Sequence, residues 1–206
     1  MIEEMLRARG DWLGASCIPR YGDRGFVLAG HVRDRTLVIS GIGGKVEPLE
    51  TFRAAALREF EEETGEQVEI VAAAEPRHLS AEAATIPVPQ GAAALLATRV
   101  PDGARDRLLW IAIFLGTLAA RPQPVEKVPY FIVIPPSAFP LLGRAGPPDL
   151  DALSVIAGSE VRPAREVLPT EVTGADAVLT ARAVLADPDL LSQWWTASGR
   201  SHHHEP

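Results

Sequence analysis

The sequence predicts an α/β fold, and three observations carry that reading. Two apolar, β-branched segments precede a long helix whose buried stripe repeats at the helical period. An almost wholly apolar segment, Leu108 to Leu118, then has the composition of a central strand covered on both faces. Beyond Pro135 the patterning turns helical, which predicts a helical C-terminal extension.

The elements follow in order. Residues 2–8 can form a short helix, limited by Gly10 and Gly14. Phe26 to Val32 and Thr36 to Ile39 are predicted strands around the charged turn Arg33-Asp34-Arg35. The loop Gly41-Ile42-Gly43-Gly44 leads to a helix over Thr51 to Thr64, with Phe52, Ala55, Ala56 and Phe60 as its buried stripe and Gly65 as its stop. Gln67 to Ala73 is a predicted strand, and Thr85 to Gly91, with two prolines, a loop. Ala93 to Val100 and Leu108 to Leu118 are strands joined through Pro101-Asp102-Gly103, and Tyr130 to Ile134 follows the irregular Arg121 to Pro124. Thr173 to Asp176 has capping-box spacing ahead of a helix over Ala177 to Ala186. Asp187-Pro188 opens another, ending at Trp194-Trp195.

The 206 residues, 47% hydrophobic and 23% charged, suit one soluble domain with elaborations. We expect a core over about 24–140, the helical extension over about 141–197 and a polar tail over 198–206. A net charge of −7 and a pI near 5.3 lack the basic footprint of a nucleic-acid partner. The single cysteine, Cys17, excludes an internal disulfide, suits a reducing cytoplasm and reads as a small apolar filler. Met1 to Met5 has no signal-peptide pattern, and Leu108 to Leu115 is too short to span a bilayer, so no membrane partner is expected. His202, His203 and His204 belong to the tail.

The chemistry concentrates in Gly44-Lys45-Val46-Glu47-Pro48-Leu49-Glu50 and in Arg58-Glu59-Phe60-Glu61-Glu62-Glu63-Thr64-Gly65-Glu66. At 3.6 residues per turn, Glu59, Glu62 and Glu63 share a helix face while Glu61 falls off it. Two unit charges at about 4 Å repel by roughly 4 kcal/mol at an effective dielectric near 20. A cation must offset that, and hard divalent ions bound through oxygen do so well. An isolated run of glutamates is ordinarily a solvated surface. Here the surrounding spacing weighs against that.

The spacing resembles the signature of the Nudix hydrolase superfamily, G-x5-E-x7-R-E-U-x-E-E-x-G-U with U a bulky apolar residue. Gly44, Glu50, Arg58, Glu59, Phe60, Glu62, Glu63 and Gly65 fall on it in register. Seven positions fixed to one residue type match by chance with odds on the order of 10⁻⁸ per window. Two residues depart from the pattern: Glu66 fills the last apolar position, and Leu49 stands where many members carry glycine. The resemblance covers residues 41–66; the order of elements beyond it is similar to the Nudix α/β/α sandwich with its mixed sheet.

The resemblance implies hydrolysis of a nucleoside diphosphate linked to another group, with Mg²⁺ or Mn²⁺ as cofactor. It implies Glu59, Glu62 and Glu63 as metal ligands, with Glu50 either a further ligand or the partner of Arg58. The catalytic set is then Glu59, Glu62 and Arg58, with Glu126 as a base from a loop ahead of the last core strand. Gly43 and Gly44 permit close backbone approach, and Lys45 could meet phosphate, so these three are the expected substrate contacts. Arg121 and Lys127 are further candidate phosphate contacts, and Glu82 a second candidate base. His31 and His78 read as packed or surface residues, Trp110 as core, and Trp194 and Trp195 as docking residues for the C-terminal segment or a second subunit. The family is often dimeric, so a homodimer is open.

Two alternatives stand beside hydrolysis: a Nudix-fold nucleotide sensor without turnover, and a Nudix-fold isomerase acting on a prenyl diphosphate. The first would ordinarily lose box glutamates, and the second would call for a cysteine near the site, for which Cys17 is poorly placed. No tyrosine lies between Tyr21 and Tyr130, so the marker of dinucleoside polyphosphate hydrolases is missing. Oxidised nucleoside triphosphates, sugar nucleotides and other diphosphates all remain open as substrates.

Overall fold

The computed structural model describes residues 1–33, 36–73, 75–102, 105–120, 130–136, 160–163, 171–174, 192–193 and 195–196. Their elements run α1 (Ile2–Ala8), β1 (Trp12–Tyr21), β2 (Gly25–Arg33), β3 (Thr36–Ser40), β4 (Ile42–Lys45) and α2 (Phe52–Thr64). Then come β5 (Glu69–Val71), β6 (Arg77–His78), β7 (Ala94–Asp102), β8 (Arg105–Leu118), β9 (Tyr130–Ile134), β10 (Glu160–Pro163) and β11 (Glu171–Gly174).

One mixed sheet holds all these strands, in the order β10-β9-β2-β1-β8-β7-β6, with β3, β4, β5 and β11 paired off that path. At its centre β1 and β8 run parallel from Trp12↔Leu109 to Tyr21↔Leu118. The side chains of β1 alternate across the sheet. Leu13, Ala15 and Cys17 join Trp110, Ala112 and Phe114 in the core under α2, whose Phe52, Ala55, Ala56 and Phe60 are fully buried. On the opposite face Phe26 meets Trp195 edge-on at 5.3 Å, and Arg20 stacks 3.8 Å from the Trp195 ring centroid. Among the described residues no helix is long and apolar enough to cross a membrane.

Local rules fix α2. Thr51 is its N-cap, with Oγ1 accepting from the Ala54 amide at 3.1 Å. Gly65 ends it at φ 70°, where its amide donates to the Glu61 carbonyl at 2.8 Å. The free amide of Phe52, in the first turn, donates at 3.0 Å to the carboxylate of Glu3 from α1.

Three expectations are corrected. Trp12–Tyr21 has no predicted element, yet it lies at the centre of the sheet, so the core begins well before residue 24. Its Gly14, Ser16 and Pro19 dilute strand propensity; pairing with β8 and β4 supplies what local sequence does not. The predicted loop 41–44 is largely strand β4, held antiparallel to β1 from Gly14↔Lys45 to Cys17↔Ile42. Beyond Pro135, residues 160–163 and 171–174 are strands rather than helix, because they complete edges against β9 and β3. Thr173, expected to open a capping box, therefore lies in β11. The helix expected over Ala177 to Ala186, most of the one expected from Asp187, Trp194 and the tail lie outside the described residues, as do Asp34, Arg35 and Gly103; at the end of the second, Ser192, Gln193, Trp195 and Thr196 are helical.

Candidate active site: an arginine-centred carboxylate cluster beside a glycine strand

Two glycines of β4 have no room for a side chain. A Cβ on Gly43 would stand 2.1 Å from the Ala15 carbonyl oxygen, and one on Gly44 only 2.4 Å from Cδ of Glu59. The Glu59 carboxylate therefore packs directly against the Gly44 backbone. Lys45, at the end of the strand, is exposed, with its ammonium 3.9 Å from Glu47.

The following loop turns tightly. The Glu50 amide donates to the Glu47 carbonyl at 3.1 Å, and the Glu47 amide donates to Oε2 of Glu50 at 3.0 Å. Leu49 occupies the left-handed region at φ 67° with 85% of its surface exposed. The chain thus takes at this point a conformation that glycine adopts without steric cost. Leucine adopts it under strain.

Arg58 on α2 gathers the acidic residues. Its Nε and Nη2 donate to the two oxygens of Glu50 at 2.9 and 3.0 Å, a bidentate pair. Nη2 also donates to the Lys45 carbonyl at 3.0 Å, and Nη1 to Glu59 at 2.8 Å and Glu62 at 3.4 Å. The hydrogen bond from Arg58 holds the Glu50 carboxyl below its ordinary value of 4.5, and Arg7 adds a small push in the same direction. The bonds to Glu50 and Glu59 in turn raise Arg58, which stays charged.

Helical spacing puts Glu59, Glu62 and Glu63 on one side of α2, where Glu59 meets Gly44 of β4; Glu62 is exposed, Glu59 and Glu63 are half-buried, and Glu61 is exposed. Their oxygens are of the kind a hard divalent cation takes, and the Glu59 carboxylate against the bare Gly44 backbone is the kind of cradle such an ion uses. In the arrangement found, Arg58 supplies the positive charge. Among the described residues no three acidic, histidine or cysteine side chains converge closely enough to hold a metal. Glu126, with Arg121 and Lys127, lies outside the described residues.

A cavity of about 770 Å³ opens beside the glycine strand. Its walls include Trp12, Gly14, Leu109 and Ile111 from the face of β1 and β8 turned away from α2, and its rim includes Gly44 and Lys45. Trp12 is 46% exposed there, a large indole turned to open space. Ser16 also lines it. Its buried hydroxyl finds no partner among the described residues. Sequence reasoning missed Trp12 and Ser16, because nothing local marks β1 as a strand.

The remaining candidates sit elsewhere. Trp110 is core, its indole N–H donating to Asp11 at 3.0 Å. His78 is exposed on β6, Glu82 pairs with Arg99 at 3.6 Å, and Cys17 is fully buried, with burial pushing its thiol well up. At the exit of α2 the buried residue is Val68, against Gly116, while Glu66 is half-buried.

Residues 11–109, which include β1, the glycine strand and all of α2, match the family described as the NUDIX domain. This span of the chain is a NUDIX domain. Among solved structures, this chain is similar to the MutT protein from Methanosarcina mazei Go1, at 16% identity and a TM-score of 0.42, over 65% of this chain and 82% of that one. A MutT protein from Bacillus halodurans aligns at 17% identity and a TM-score of 0.41, over 86% and 84%. A C. elegans Ap4A hydrolase aligns at 12% and 0.40, over 61% and 81%. At these identities and scores the likenesses add nothing to the family statement, which rests on the domain match. No curated protein matches the sequence.

Proposed function

We propose that this Nudix protein is a divalent-metal-dependent hydrolase that cleaves the phosphoanhydride of a nucleoside diphosphate linked to another group. The observation that carries the reading is the Glu59 carboxylate packed on Gly44 at the rim of the Trp12 cavity, with Arg58 binding it to Glu50 and Glu62.

Glu59, Glu62 and Glu63 are the residues that would hold Mg²⁺ or Mn²⁺, which when bound supplies charge neutralisation for the diphosphate and an acidified water. Glu50 is the anchor of Arg58 and contributes through it. Arg58 orients Glu59 and the Lys45 carbonyl, so the backbone beside Gly44 keeps one geometry. Lys45 reaches a phosphate from the exposed side. The apolar cavity takes the planar base, with Trp12 as its stacking face and the Ser16 hydroxyl as its polar contact. Glu126 remains the candidate base from outside the motif. Residues 1–206 are read as one domain with its extension; the homodimer is tested by measuring mass in solution.

A panel of nucleoside diphosphate derivatives with Mg²⁺ and with Mn²⁺, read by phosphate release after phosphatase treatment, tests the activity. Hydrolysis of a subset supports it. One rival is a sensor that binds nucleotide without turnover. Saturable nucleotide binding with silence across the panel selects that rival.

A further inference from the structure

We propose that α1, which precedes the matched Nudix span, is a latch that sets the geometry of the loop between β4 and α2, with Arg7 and Glu3 as positioning residues. This rests on the site reading above. Arg7 Nη2 donates to the carbonyls of Val46 at 3.5 Å, Glu50 at 3.2 Å and Glu47. One turn earlier, Glu3 is 5% exposed and accepts the Phe52 amide. The same short helix thus grips the loop along its length and caps the helix that leaves it.

From α2, Arg58 takes the Lys45 carbonyl and both oxygens of Glu50. Two guanidiniums thus hold residues 45–50, and Arg7 also lines the cavity. The loop needs such holding. It carries Leu49 in a left-handed conformation that a leucine does not keep by itself, and Leu49, being exposed, has little packing to hold it. Planar guanidinium donors converging on carbonyls fix orientation better than a point charge does. Released from Arg7, the loop would sample other turns, and Gly44 would shift against Glu59.

The test compares Arg7→Met and Arg7→Lys with the parent in the full chain. Three readouts apply: amide hydrogen exchange over residues 46–52, Mn²⁺ affinity by paramagnetic titration without substrate, and kcat against KM. In Arg7→Met the Glu47, Glu50 and Phe52 amides exchange faster and Mn²⁺ binds more weakly. Its kcat falls by on the order of tenfold or more while KM moves little. Arg7→Lys recovers part of each. A folded Arg7→Met with parental exchange, or with faster exchange but parental Mn²⁺ affinity and kcat, overturns the latch. If Arg7→Met does not fold, Glu3→Met, which removes the acceptor of the Phe52 amide, carries the same readouts with the same two outcomes. Exchange and Mn²⁺ affinity report whether or not a diphosphate turns over, so a silent parent enzyme would sink the activity alone.

Discussion

Arg58 spans both carboxylate oxygens of Glu50, at 2.9 Å from Nε and 3.0 Å from Nη2, across the loop that joins β4 to α2. The pair lies eight residues apart in sequence and ties the start of the loop–helix segment to the helix that carries Glu59, Glu62 and Glu63. That makes Glu50 a structural carboxylate whose ionisation is linked to folding.

The folded state holds Glu50 below its ordinary 4.5. A group so depressed stabilises the fold fully above the unfolded value, and the contribution disappears as pH falls through the folded value. Thermal melts of parent and Glu50→Gln between pH 7 and pH 3 should therefore converge toward the acid end. A stability gap that stays constant with pH would show that the ionised pair contributes nothing.

Leu49→Gly should raise stability. Relief of the left-handed strain gains roughly 1–2 kcal/mol, against an entropic cost of about 0.5–1 for glycine. With 85% of Leu49 exposed, little burial is lost. The net of up to about 1.5 kcal/mol corresponds to a rise of up to roughly 3–6 °C in Tm. A lower Tm would mean that the leucine side chain holds the loop through contacts that outweigh its strain.

Gly44→Ala places a Cβ against the Glu59 carboxylate. Because the obstructing atom is the far end of a flexible side chain, the fold should survive while the carboxylate moves. We expect kcat to fall by about a hundredfold or more, with Tm changed by only a few degrees. Gly43→Ala, facing the Ala15 carbonyl, should instead destabilise the β1–β4 pair.

Trp12→Ala should weaken binding of the base more than it slows the chemistry. Loss of one stacking face is worth about 1–3 kcal/mol, so KM should rise roughly five- to hundredfold with kcat within a few-fold. Quenching of tryptophan fluorescence by a non-hydrolysable analogue gives an independent check. An unchanged KM and no quenching would remove the cavity from the binding site.

The parts of this protein that were legible in its sequence are those fixed by neighbours in the chain. The stripe of Phe52, Ala55, Ala56 and Phe60, the Gly65 stop and the spacing from Gly44 through Glu63 all declare α2 and its acidic face locally. The pairing of Glu50 with Arg58, one of the two readings of that carboxylate, is present in bidentate geometry. β1 was not legible. Gly14, Ser16 and Pro19 carry no strand signal, and its stability comes from β8, some ninety-seven residues away at Trp12↔Leu109. Arg7 was invisible for a similar reason: its partners lie 39 to 43 residues on and are backbone carbonyls, which leave no mark in the sequence.

The most direct test of the metal-dependent mechanism is kcat for Glu62→Gln and Glu63→Gln at saturating Mg²⁺, on whichever diphosphate the parent hydrolyses, with circular dichroism confirming the fold. The account predicts losses of at least about a hundredfold in both, since each removes a charged ligand for the ion that neutralises the diphosphate. Parental turnover in both variants would contradict it and reduce the α2 carboxylates to a solvated surface.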